Sequence, residues 1–260
     1  MELFASDILA NTEIADRYYE LTMAWTAATP TPGQFLTMRV GEGTDPLLRR
    51  PFAYSKFEEG RASIVYERRG KTTGYLAATT RGDSVSVLGP LGNGFPTPGP
   101  GVTAVLISGG VGIGPLLFFA DALAKERRDF ISVFGARNSS LLPSRSIEAV
   151  DATTIICTDD GSAGLRGTVV DGLASIPDLI PGSDEASTRF EFFACGPNPM
   201  MEAVAGFAVA RGIRCLVSME QIMGCAVGAC MGCAIRVRPR GDYARVCTEG
   251  PVFDAAEILW

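Results

Sequence analysis

The apolar positions of this chain change rhythm twice. From residue 1 to about 100 they come in short runs that alternate with polar positions or gather Val, Tyr and Leu: "YYELTMAW", "GQFLTMRV", "RASIVYERRG" and "DSVSVLGP". A period of two marks half-buried strands, and the Gly and Pro between the runs mark turns. Short strands with little helix predict a six-stranded antiparallel barrel. Inside it, "KTTGYLAATT" reads as a short helix.

From residue 101 to 217 the apolar runs become continuous. "TAVLISGGVGIGPLLFFADALAKERR" reads as a buried strand, a glycine turn and a helix. "FISVFGARN", "TTIICTDDG", "FEFFACGPN" and "IRCLVSME" are further apolar strands, and helical stretches such as "PMMEAVAGFAVARG" separate several of them. Apolar strands alternating with helices predict a parallel sheet covered on both faces. "TPGPG", 97–101, separates this α/β segment from the barrel. Residues 218–260 are rich in Cys and Gly and too few to bury a large core alone, so something must hold them together. The expected organisation is therefore 1–100, 101–217 and 218–260.

Composition narrows the class. The chain has 260 residues, 47% of them hydrophobic, enough for one large domain or two ordinary ones. No apolar run approaches the roughly 20 residues of a membrane span. The N-terminus is acidic and alternating, without the basic and apolar regions of a signal peptide, so a cytoplasmic protein is expected. A net charge of −6 argues against nucleic-acid binding. Two short basic stretches, 39–51 and 236–245, read as solvated faces or small anion sites.

Seven cysteines is an odd number, which makes a disulfide framework a poor explanation. Cys157 and Cys215 sit in apolar runs and read as buried thiols. Cys225, Cys230, Cys233 and Cys247 differ: they follow C-x4-C-x2-C, then thirteen residues, then C. Zinc usually takes two C-x2-C pairs or a pair plus histidines, and this chain has one such pair and no histidine. The spacing is instead that of a plant-type [2Fe–2S] site. Small residues around the cysteines, Gly224, Ala226, Gly228, Ala229 and Gly232, leave room for sulfides and expose backbone N–H donors. Structural zinc stays as the alternative.

A one-electron carrier needs a redox partner. "LLRRPFAYS" offers Arg50, Pro51, Phe52, Ala53 and Ser55 near a strand. Downstream, Gly70, Thr72 and Thr73 precede a helix start where N–H groups and hydroxyls could cradle a pyrophosphate. "GPLGNGF", 89–95, adds a glycine loop ending in an aromatic. Each alone could be only a barrel turn. Gly109, Gly110, Gly112 and Gly114 lie directly between a strand and a helix, where a pyrophosphate would meet free N–H groups and a positive dipole end. The pattern is not a strict G-x-G-x-x-G, and a tight βα turn would also explain it. Asp159 and Asp160 follow a parallel strand and could accept from a ribose hydroxyl while repelling a 2′-phosphate. That favours NAD, with Arg137 and Arg166 as the argument for NADP.

The order of these motifs resembles the ferredoxin-NADP reductase-like superfamily. The resemblance implies FAD bound by Arg50, Pro51, Phe52 and Ala53, with Val65, Tyr66 and Glu67 beside them and Gly70, Thr72 and Thr73 at the pyrophosphate. Ala53 stands where a hydroxyl residue is usual. It also implies that Cys195, Gly196 and Pro197 border the nicotinamide, with Cys195 facing the hydride path, although a buried strand-end thiol is the alternative.

With "RRPFA", "GKTT", "SGGVGIGP", "CTDDGS", "ACGPNPMM" and "MGCAVGACMGC…VCTEGPVF", essentially the whole chain resembles the electron-transfer subunits of two-component, NAD-linked dihydroorotate dehydrogenases. This implies a partner, an FMN-containing dihydroorotate dehydrogenase catalytic subunit in a heterotetramer, and electron flow through [2Fe–2S] and FAD to NAD+. Met223, Ala226, Val227 and Met231 are then candidates for a desolvated contact with that partner. A reductase serving a hydrogenase, ferredoxin or oxygenase would carry the same cofactor signals. A structural zinc module would carry none of the redox chemistry.

Overall fold

The computed structural model describes residues 1–41, 43–150, 152–179, 186–238 and 243–260; of the basic stretch 236–245, residues 239–242 lie outside these ranges. Strands β1 (Glu2–Ala15), β2 (Tyr18–Ala24), β3 (Phe35–Arg39), β4 (Arg50–Glu58), β5 (Arg61–Glu67) and β6 (Ser84–Leu91) close into an antiparallel barrel in the order β1-β2-β5-β4-β3-β6. The alternation seen in the sequence sends Ile8, Leu21, Met23, Leu36, Tyr54, Ile64 and Val87 into one sealed interior. Helix α1 (Lys71–Ala77) adds Leu76 to that interior. Asn11 Nδ2 donates to the carbonyls of Leu76 and Thr79 at 2.8 and 3.1 Å, so the helix end is not left with unpaired acceptors.

The second layer is a parallel sheet of β7 (Thr103–Gly109), β8 (Phe130–Ala136), β9 (Thr153–Thr158), β10 (Leu165–Arg166), β11 (Phe190–Cys195) and β12 (Arg214–Ser218). Helices α2 (Ile113–Lys125), α3 (Ser144–Glu148), α4 (Val169–Ala174), α5 (Ala186–Arg189) and α6 (Asn198–Val209) accompany it. The five apolar strands expected from the sequence are β7, β8, β9, β11 and β12.

The C-terminal segment forms a small hairpin, β13 (Ala234–Arg236) with β14 (Tyr243–Arg245), and then gives β15 (Val252–Asp254) to the large sheet, antiparallel to β12. The final order is β10-β9-β8-β7-β11-β12-β15. Arg214 ties this edge together, donating to Glu191 at 2.7 Å and Asp254 at 3.3 Å. One apolar cluster runs through all three parts: Phe35 and Leu91 of the barrel, Val105 and Ile107 of the sheet, and Met219, Met223, Val246 and Cys247 of the tail. Each large side chain fully buried there contributes about 1.5–3 kcal/mol, which is what holds so short a tail in place.

Helix α2 joins barrel and sheet. Gly114 in its first turn faces Val65 and Ser55; a Cβ on it would lie 3.5 and 3.6 Å from theirs. One turn later Phe118 enters the barrel cluster. Among the described residues no helix is long and apolar enough to cross a membrane.

Candidate functional site

Parallel strands all end at one edge of a sheet, and here that edge carries the motifs read from the sequence. β7 ends at Gly109, β8 at Ala136, β9 at Thr158 and β11 at Cys195. Gly109 is in register with Gly135, Ala136 with Thr158, and Cys195 with both Ser108 and Ser218. The glycine loop 109–114, Arg137, Asp159–Asp160 and Cys195–Pro197 therefore share one rim. Gly112 packs on the Cys195 carbonyl so tightly that a methyl group there would collide with it. A Cβ on Gly196 would lie 3.0 Å from the Gly109 nitrogen, so the two loops are in mutual contact. The loop leads through a tight turn at Gly110–Gly112 into α2; Gly109 packs on Met200 and Gly114 on Val65 and Ser55, and the Ile113 N–H donates to the Gly110 carbonyl. The positive end of α2 at this rim suits a dinucleotide pyrophosphate.

Burial pushes the Cys195 thiol up to about 12, outweighing its hydrogen bond with Ser218. It is a neutral surface at the rim and no acid or base at ordinary pH. Asp159 and Asp160 are exposed; the Ser162 hydroxyl and N–H hold Asp160 below the usual carboxylate range. The Asp160 N–H donates to the Arg137 carbonyl, which keeps the β8 and β9 loops side by side.

The barrel residues assemble nearby. Arg49 is committed to β6, donating to the Ser86 carbonyl at 2.9 Å and its hydroxyl at 2.7 Å. Among the described residues Arg50 makes one long bond of 3.4 Å, to the Leu48 carbonyl, which leaves donors for another group. An ion pair between Lys71 and Asp45 draws the loop before β4 toward the start of α1. Arg50, Glu67 and Gly70–Thr73 thus lie at one end of the barrel. Thr73 serves the chain itself, its hydroxyl accepting from the N–H groups of Arg69 and Gly70 at 2.9 and 3.0 Å. Tyr66 points into the barrel and its hydroxyl donates to Asn11 at 3.0 Å, so it offers backbone alone. Phe52 meets the Tyr66 ring edge-on. Val65 packs with Ile113 of α2. Ser55 Oγ, two positions after Ala53, is buried without a hydrogen-bond partner among the described residues. That orphaned hydroxyl, with the open donors of Arg50, suits a polar flavin.

Two neighbours were not foreseen. The Tyr18 hydroxyl lies 3.4 Å from where a Cβ on Gly110 would sit, which places it between barrel and glycine loop. Burial and the nearby Glu67 raise its pKa. Nothing local in "DRYYE" marks it. The second is the "GPLGNGF" loop, read above among the flavin signals: Gly92 and Asn93 face the C-terminal tail.

The four tail cysteines form two pairs. Cys225 Sγ accepts from the Cys230 N–H at 3.4 Å, and Cys233 lies beside Cys247, whose thiol it helps raise. The N–H groups of Val227, Cys230 and Ala229 pull the Cys225 thiol down to about 6, which is thiolate chemistry. Ala229 and Cys230 donate at 3.3 and 3.4 Å, and Gly232 donates to Cys230 at 3.4 Å. Burial leads in pushing Cys247 up to about 11. Cys225 is half-buried and Cys230 exposed, while Cys233 and Cys247 are 3% and 1% exposed. Among the described residues no three Cys, Asp or Glu side chains group around a single ion. Four thiols, with N–H donors aimed at Cys225 and Cys230, fit an iron–sulfur group.

Ala226 adopts φ 60° and Met231 φ 56°, left-handed values that wind the chain tightly between the ligands. Ala226 and Met223 pack inward at 3% and 5% exposure, so they are not surface contacts as expected. Val227 and Met231 are exposed, together with Ile222, Tyr243 and Trp260. These apolar side chains share the segment that carries the open thiol pair.

Residues 220–259 match the family described as the iron-sulfur cluster binding domain of dihydroorotate dehydrogenase B. The chain is 37% identical over 261 residues to a protein of Geobacillus thermodenitrificans (strain NG80-2), covering 97% of this chain and 96% of the relative. It is 38% identical over 255 residues to one of Bacillus caldolyticus, covering 95% and 94%. Both are named dihydroorotate dehydrogenase B (NAD+), electron transfer subunit. A solved NADH-dependent reduced ferredoxin-NADP oxidoreductase, studied for flavin-based electron bifurcation, superposes with a TM-score of 0.82 at 29% identity, covering 98% of this chain and 90% of that one.

Proposed function

The chain belongs to the family of dihydroorotate dehydrogenase B (NAD+) electron-transfer subunits, and we propose that its three segments divide the work: 1–100 hold FAD, 101–217 hold NAD and 218–260 hold the [2Fe–2S] cluster. It is an oxidoreductase subunit that uses these three cofactors, and a partner catalytic subunit carries out the dihydroorotate chemistry of pyrimidine biosynthesis. When bound, FAD exchanges electrons singly with an iron–sulfur group and as hydride with nicotinamide.

The residues of this chain bind, orient and shield. Cys225, Cys230, Cys233 and Cys247 would hold the cluster as thiolates, and the surrounding N–H groups would stabilise charge on sulfur. Arg50 neutralises flavin phosphate, Gly70 and Thr72 shape the pyrophosphate turn, and Pro51, Phe52, Ala53 and the Val65–Glu67 backbone border the flavin. Gly109, Gly110, Gly112 and Gly114 admit the NAD pyrophosphate. Asp159 and Asp160 select against a 2′-phosphate. Cys195, Gly196 and Pro197 form the wall beside the nicotinamide, and Cys195 stays protonated throughout.

One observation carries this reading. The two thiol pairs differ in burial: one is open beside exposed apolar side chains, and the other is sealed into the cluster shared with Phe35 of the barrel and Val105 of the sheet. Such a gradient suits electrons that enter from a docked partner and leave toward the flavin. Met231, 51% exposed, and Ile222, 82% exposed, belong to the docking face. The partner is FMN-containing, and the assembly is a heterotetramer.

Met231→Glu tests the docking face. It should impair dihydroorotate-dependent NADH formation with the partner while sparing dye reduction by NADH. Equal coupled rates would remove Met231 from the interface. The likeness to a ferredoxin-linked oxidoreductase supports a second reading, in which the partner is a ferredoxin-type protein. Co-purification with that protein, and none with a dihydroorotate-oxidising subunit, would decide for it.

A further inference from the structure

The turn that leaves the barrel after β6 grips the tail just beyond its last cluster cysteine. Gly92, at φ 70°, lies so close that a Cβ would be 2.6 Å from Pro251 Cδ and 2.7 Å from the Gly250 carbonyl. That position accepts only glycine. The next residue, Asn93, uses its backbone N–H to donate to the Gly250 carbonyl at 2.7 Å. Its side-chain Nδ2 donates to the carbonyls of Glu249 and Val252, both at 3.1 Å. Its Oδ1 accepts from the Val252 N–H at 3.0 Å. Two carbonyls and one N–H therefore converge on one side chain. Only an amide carries two donors and an acceptor at a single end.

The gripped segment, 249–252, starts two residues after Cys247 and runs into β15, which pairs with β12 of the sheet. Phe35, whose ring lies 2.9 Å from the same Gly92 Cβ position, shares an apolar cluster with Cys247. The strand before the turn is part of the barrel, and the strand after the gripped segment is part of the sheet. A single side chain thus spans the joint between the barrel and the cluster segment.

We propose that Asn93 is a positioning residue: its amide locks the segment behind Cys247 to the barrel and so sets how the iron–sulfur cluster lies relative to the flavin. This rests on the cluster and flavin assignments above. The geometry assigns Asn93 no contact with either cofactor; it acts through the backbone of 249–252.

The test uses purified holoprotein of the full chain. In Asn93→Ala two donors and an acceptor are lost, and their carbonyl and N–H partners are left unpaired. Local opening of the tail becomes easier, so a ferrous chelator should strip iron from the reduced protein about tenfold to a hundredfold faster than from wild type. Flavin reduction by NADH should keep its rate, while the following reduction of the cluster slows.

Asn93→Asp gives a signature that loss of bulk would not. Its carboxylate opposes two carbonyls, whereas its protonated acid can donate to one. The chelation rate, taken as a ratio to wild type at each pH, should therefore rise as the carboxyl ionises. If Asn93→Ala does not fold, this pH profile decides alone. Wild-type iron loss and cluster reduction in Asn93→Ala, or a pH-independent ratio in Asn93→Asp, would overturn the proposal. A wild-type protein without iron and sulfide would instead overturn the cluster assignment on which it rests, and the wild-type sample reveals that by itself.

Discussion

Gly112 rests on the carbonyl of Cys195, with no room between them for a methyl group. The first belongs to the glycine loop that opens α2, and the second ends β11, so this contact fixes the two walls of the proposed nicotinamide site against each other. Gly112→Ala must push them apart. Displacement of about 1 Å can cost on the order of a hundredfold in rate. Stopped-flow reduction of the flavin by NADH should slow by that order, with iron, sulfide and flavin contents unchanged.

Cys195 makes a prediction about pH. Its thiol is raised from an ordinary value of 9.0 to about 12, chiefly by burial. A raised thiol stabilises the fold fully below its ordinary value, and that stability is lost as pH climbs toward 12. Cys195→Ala should therefore flatten the alkaline limb of a thermal-unfolding profile. Between about pH 6 and 8, where the thiol stays neutral, it should leave the shape of the NADH-reduction profile unchanged. A new step in that range would mean that Cys195 takes part in proton transfer.

Arg49 and Arg50 are adjacent and serve different ends. Arg49 is bound to Ser86, while Arg50 has donors to spare. Arg50→Ala should weaken flavin retention by about tenfold to a hundredfold, the worth of a charge-assisted contact, and leave the cluster in place. Equilibrium dialysis against free FAD and an iron assay on the same sample measure both. Unchanged flavin affinity would move the phosphate contact elsewhere.

Asp159 and Asp160 stand exposed where β9 ends. Their negative charge should make NADPH a poorer reductant than NADH. Replacing both by Ala should narrow the ratio of the two reduction rates, mainly by improving NADPH. If the wild type already reduces equally with both nucleotides, Arg137 or Arg166 governs the choice.

Much of this was legible in the sequence because the signals were local. A period of two, a glycine run between strand and helix, and C-x4-C-x2-C each act over a few residues, and the strands, the glycine turn and α2 form where the pattern predicts them. What the sequence does not reveal depends on contacts between distant segments. β15 is three residues long, and its place beside β12 comes from the packing of the tail. Asn93 reads as part of a barrel turn because its partners lie more than 150 positions away. Met223 and Ala226 look as apolar as Met231 in sequence. The left-handed turns at Ala226 and Met231 help decide which side chains face inward. Thr73 reads as a ligand hydroxyl, but its oxygen is taken by the cap of its own helix.

The central claim is that this chain conducts electrons and leaves dihydroorotate to a partner. The direct measurement is anaerobic NADH formation from dihydroorotate and NAD+, using this chain alone, a dihydroorotate dehydrogenase B catalytic subunit alone, and both together. The cofactor-loaded chain, with about two irons and two sulfides, should form no NADH by itself, and neither should the partner. The mixture should form NADH steadily. NADH formation by this chain alone, or none from a fully loaded mixture, would contradict the account.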